Sequence, residues 1–75
     1  MTNGILFREI AKRNGLKWFE VAGKCGMTTQ SLDNKTNNKT EFTQAEMKAF
    51  REACPDMTDA EFNDVFFWSA TSVKS

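Results

Sequence analysis

Apolar residues recur along this chain at spacings of three and four, the period of helices that bury one face. Ile5, Leu6, Phe7, Ile10 and Ala11 form the first set. Lys12-Arg13-Asn14-Gly15 closes it, with basic side chains at the negative end of the helix dipole and a glycine stop. This predicts a helix over Ile5–Asn14. Leu16, Phe19, Val21, Ala22 and Cys25, ended by Gly26, predict a short helix over Lys17–Lys24 and then a tight turn. From Thr28 to Thr36 the pattern turns polar, with only Met27, Leu32 and Thr36 placed to face inward. Thr28 suits an N-cap, and Asn37-Asn38 can end the helix because Asn tolerates a left-handed backbone. Helix propensity is mediocre here, so packing must hold a segment that is kept helical for its surface.

Two capping boxes follow, Thr43-Gln44-Ala45-Glu46 and Thr58-Asp59-Ala60-Glu61. In each, hydroxyl and carboxylate satisfy free donors of the first turn. The first opens a helix through about Cys54, stopped by Pro55, with Met47, Phe50 and Cys54 on one face. The second opens a last short helix with Phe62, Val65 and Phe66 inward. The expectation is an all-α domain of five short helices over residues 1–68, without substantial sheet, and a disordered tail over residues 69–75. Its predicted core contains Val21, Ala22, Met27, Leu32, Phe42, Met47, Phe50, Phe62 and Phe66.

A chain of 75 residues has surface enough for one core only. The net charge is zero, but it is unevenly distributed. Met1 to Thr40 holds seven basic residues against three acids, a net +4, and the remainder holds three against seven, a net −4. Such asymmetry points to one half that faces a polyanion. Cys25 and Cys54 sit at apolar periodic positions and read as buried thiols. No leader peptide and no apolar run of spanning length is recognisable, so cytoplasm is the expected compartment. The chain has no His and no Tyr, and neither Cys has a visible base partner. No metal-ligand spacing or phosphate-binding glycine loop is present. A binding protein without cofactor or metal is therefore expected, not an enzyme.

Val21-Ala22-x-x-Cys25-Gly26-Met27-Thr28-Thr29-Gln30-Ser31-Leu32, followed by Asn37-Asn38-Lys39, resembles the helix-turn-helix of the lambdoid phage Cro and repressor family. Small Ala22 suits a helix crossing, and Gly26 suits a backbone turn that side chains disfavour. Lys17, Trp18, Asp33 and Asn38 depart from the family pattern. The resemblance covers about Ile5 to Phe67. It implies a phage transcriptional regulator in a bacterial host cell, a repressor-like protein that reads double-stranded operator DNA with the helix from about Thr28 to Thr36. Thr28, Thr29, Gln30, Asp33 and Asn34 would then reach base edges, with the amides of Gln30 and Asn34 suited to adenine. Lys17, Trp18, Ser31, Lys35, Asn37 and Lys39 would contact phosphates, and Lys24 joins the same basic cluster. A solvated polar face is the plainer reading of these residues. Phe67 and Trp68 exceed what one short helix buries, so they are candidate contacts for a homodimer or another protein. An alternative function follows: a modulator or antirepressor that uses the same fold to bind a phage repressor protein.

Overall fold

The computed structural model describes residues 1–67, which form five α-helices with no strand among the described residues. They are α1 (Gly4–Arg13), α2 (Trp18–Lys24), α3 (Thr29–Thr36), α4 (Gln44–Ala53) and α5 (Asp59–Phe66). The predicted contact residue Trp68 and the tail 69–75 lie outside the described residues. No helix among the described residues is long and apolar enough to cross a membrane.

Each helix starts where a side chain meets the free N–H groups of its first turn. Asn3, Thr28, Thr43 and Thr58 accept from Leu6, Ser31, Glu46 and Glu61. Both predicted capping boxes form, with Glu46 accepting from Thr43 N–H at 2.9 Å and Glu61 from Thr58 N–H at 3.1 Å. At α2 the N-cap is Lys17, whose ammonium cannot accept, so only the reciprocal half remains: Lys17 N–H donates to Glu20 Oε1 at 2.8 Å. Asn38 ends the α3 exit at φ +64°, the left-handed conformation anticipated for the Asn pair, and Gly26 turns the chain between α2 and α3 at φ +73°.

Phe7 is the hub of the core. It stacks on Phe50 with centroids 4.0 Å apart, lies 5.4 Å from Phe42, and meets Trp18 and Phe66 edge-on at 5.7 and 6.1 Å. Ile10, Val21, Leu32, Cys54 and Val65 complete the fully enclosed set, with Ala22, Phe42 and Phe66 nearly enclosed. Thr36 is buried as anticipated, its hydroxyl donating back to Leu32 O at 2.9 Å. Three predicted core residues, Met27, Met47 and Phe62, are only half-buried and lean against the core from its edge. Two residues counted with apolar faces are on the surface. Ile5 is 77% exposed and Phe19 is 55% exposed, because Leu6 and Phe7 in α1, and Val21 and Ala22 in α2, already cover the narrow inward arc of a short helix.

Long-range polar contacts close the bundle. Asn38 exchanges two hydrogen bonds with the main chain of Thr2, accepting at 2.7 Å and donating at 3.0 Å. Asn3 N–H donates to Val65 O at 2.8 Å. Gly4 lies so close to the end of α3 that a Cβ there would stand 2.5 Å from the Thr36 carbonyl oxygen. At the other end of α1, Arg13 grips both Asp56 (3.0 Å) and Glu61 (2.9 Å), and Asn14 donates to Asp56 at 2.9 Å. Hydrogen bonds from Arg13, then from Thr58 N–H, pull the Glu61 pKa down from 4.5 to about 2, and Asn14 and Arg13 lower that of Asp56. A carboxylate with a depressed folded-state pKa stabilises the fold above its ordinary value and ceases to do so as pH falls through the depressed one. Urea midpoints of the wild type are therefore expected to fall between about pH 4.5 and pH 2. Those of Arg13→Gln, already lower at neutral pH, should fall less over that interval. Parallel declines in the two proteins would remove Arg13 as the cause.

Candidate nucleic-acid interface

α3 has three kinds of surface, set by its spacing of 3.6 residues per turn. Leu32 and Thr36 point into the core. Ser31 and Lys35 lie on the flank toward α4, and Thr29 and Asp33 lie on the flank toward α1 and α2. Gln30, Asn34 and Asn37, at i, i+4 and i+7, form the row turned away from the core. Among the described residues no side-chain hydrogen bond involves Thr29, Gln30, Asn34 or Asn37. The row thus offers three amides whose donors and acceptors are uncommitted.

The flanks are occupied within the protein. Lys35 donates to Glu41 O at 2.9 Å, pairs with Glu46 at 3.3 Å, and keeps only 15% of its side chain exposed. Burial of Glu46 opposes its ionised form, but Thr43 N–H and Lys35 outweigh this and hold its pKa below the usual value. The sequence assigned Lys35 to a phosphate, whereas the fold uses its charge to join α3 to α4. On the opposite flank Asp33 Oδ1 accepts from Trp18 Nε1 at 2.8 Å, and Arg8 stands 3.5 Å from the same oxygen. Asp33 and Trp18 had been assigned to a base and a phosphate. Their polar atoms are instead bonded to each other. Arg8 is the third member, its guanidinium 4.1 Å over the Trp18 ring. The sequence reading missed it because α1 showed only an exposed charge at that position.

The remaining assigned residues are distributed as follows. The exposed Thr28 uses its hydroxyl oxygen to accept the N-cap bond from Ser31 N–H at 3.1 Å. Ser31 is half-buried, while Thr29, Gln30, Asn37 and Lys39 are exposed. Lys39 is held at the end of α3 by its N–H bond to Asn34 O at 2.8 Å. Lys17 and Lys24 are exposed at the two ends of α2. Phe67 is 62% exposed, with its ring 6.2 Å from Phe62.

The two thiols are buried, and burial pushes each up to about 11, so both are protonated at neutral pH. Among the described residues no group of His, Cys, Asp or Glu is placed to hold a metal ion. No protein-family model matches the chain, and neither a curated protein nor a solved structure matches it.

Proposed function

We propose that this chain is a sequence-specific DNA-binding transcriptional regulator of the phage Cro and repressor kind. In this reading α2 and α3 form a helix-turn-helix, α3 enters the major groove, and the protein acts by binding rather than by catalysis. The observation that carries the reading is the uncommitted amide row Gln30, Asn34 and Asn37 on a helix whose Leu32, Asp33, Lys35 and Thr36 are engaged within the protein. A primary amide can exchange two hydrogen bonds with adenine in the major groove, and Thr methyl groups suit the methyl of thymine. Lys39 and Lys17, exposed beside this row, would meet phosphates. One such module buries modest area, so a dimer on two half-sites is the expected source of affinity.

Two substitutions separate reading from positioning. Gln30→Ala should relax preference at one base pair by about 1–3 kcal/mol while leaving random DNA unaffected. Lys39→Ala should weaken all sequences alike and reduce the salt slope by about one unit. Fluorescence anisotropy on a duplex selected from a random pool, with salt varied, measures both. Equal losses from both variants on selected and random DNA would overturn the assignment. The modulator reading is favoured by one observation, the exposure of Phe19 and Phe67. A folded protein that binds no selected duplex at any salt would leave that reading standing in place of the first.

A further inference from the structure

We infer that Arg8, with Asn37 in the same groove, takes a backbone phosphodiester of duplex DNA, and that Trp18, held by its bond to Asp33, acts as its positioning residue. The inference rests on the DNA reading above and adds to it a contact from α1 that the motif does not contain. Three arginines are present in the chain. Arg13 spends its guanidinium on Asp56 and Glu61, and Arg51 is paired with Asp59. Arg8 differs. Its single ion pair, at 3.5 Å, is too long for a good hydrogen bond, and among the described residues its donors make no other contact with an acceptor. Half of its side chain is exposed. The Trp18 ring, 4.1 Å below its guanidinium carbon, nonetheless restrains this group by a cation–π contact, so its donors are held near one place before any ligand arrives.

The position of this guanidinium matches the proposed interface. Asp33 is adjacent in sequence to Asn34 and one helical turn before Asn37, so Arg8 stands beside the outward row of α3. Between them runs an open groove of about 310 Å³ where the start of α1 meets the end of α3, lined by Gly4, Ile5, Arg8, Asn37 and Asn38 among others. A phosphodiester oxygen seated there would meet the Arg8 guanidinium and the Asn37 amide, which both line the groove. Asp33 has a cost in this arrangement, since its charge repels the same phosphate. Its hydrogen bond from Trp18 and its looser ion pair with Arg8 offset that charge, and Asp33 is not among the residues that line the groove.

Titrations of wild type, Arg8→Gln and Asp33→Asn against selected and random duplexes over a range of salt test the inference. Arg8→Gln is expected to weaken both duplexes about tenfold, the loss of one charged hydrogen-bonded contact, and to lower the salt slope by about 0.9. Asp33→Asn keeps an acceptor for Trp18 and removes the repelling charge, so it should bind both duplexes several-fold more tightly. An Arg8→Gln protein that loses thermal stability but keeps the wild-type slope would reduce Arg8 to a structural prop and overturn the inference, with the DNA reading intact. Unchanged or weaker binding by Asp33→Asn would overturn it as well, whether or not Arg8→Gln folds. Absence of DNA binding by the wild type would remove both the DNA reading and this contact.

Discussion

Phe7→Ala is expected to lower unfolding free energy by about 3–5 kcal/mol, enough to leave much of this small protein unfolded at 37 °C. Domains of this size hold about 4–11 kcal/mol in total. The ring is fully enclosed and lies against Phe42, Phe50, Phe66 and Trp18, which come from four other segments of the chain. Its loss leaves a void that no single neighbour can fill, so the cavity cost adds to the lost transfer energy. Ile5→Ala is the matched control two residues earlier. With Ile5 mostly in water, the change should stay within about 0.5 kcal/mol. Urea melts of the two variants measure the contrast, and similar losses in both would contradict the placement of α1.

Ala22→Glu should prevent folding, with a cost above about 4 kcal/mol. Ala22 is 2% exposed in α2, which packs on both α3 and α4. A carboxylate there has neither water nor a cationic partner, and the side chain carries four heavy atoms beyond the Cβ at which the native methyl group ends. Gly23→Glu supplies the comparison one residue later. Gly23 is exposed, nothing lies within 4 Å of a Cβ built on it, and Glu favours helix over Gly. That protein should fold with a helical circular dichroism spectrum and equal or higher stability. The reverse ranking would mean that α2 is rotated about its axis.

The helices were legible because their signals are local. Thr43 with Glu46, and Thr58 with Glu61, meet within one turn, so four residues of sequence contain the whole interaction. The boundaries moved by one residue where the capping threonine stands just outside its helix. Burial was legible only in part. A seven-residue helix such as α2 has room for one inward arc, and periodicity alone could not decide between Phe19 and the Val21–Ala22 pair. The candidate site was legible along α3 and illegible at its flanks. Gln30 keeps the exposed position that helical spacing gives it, and Asn34, half-buried, keeps its amide free of hydrogen bonds within the protein. The partners of Lys35 and Asp33 lie 6 to 25 residues away in sequence, on α1, α2, α4 and the loop before it. No property of Asp33 itself says that a tryptophan and an arginine will hold it. Trp18 and Asp33, read separately, were two departures from the family pattern. Together they form one hydrogen-bonded pair.

The bonds from Asn3 to Val65 and from Thr2 to Asn38 also govern the order of events during synthesis. Of the five helices α1 is made first, but Phe66, which completes the cover of Phe7, and Val65, which accepts from Asn3, are made last, on α5. At about 5–20 residues per second the first helix waits on the order of seconds with its aromatic face only partly covered. A fragment through α3 already holds both ends of the Thr2–Asn38 pair, but the Asn3–Val65 bond waits for the chain to reach the end of α5. A product of interrupted translation that carries α1 to α4 intact would still lack the lock. It should be cleared by proteases rather than persist as a stable fragment.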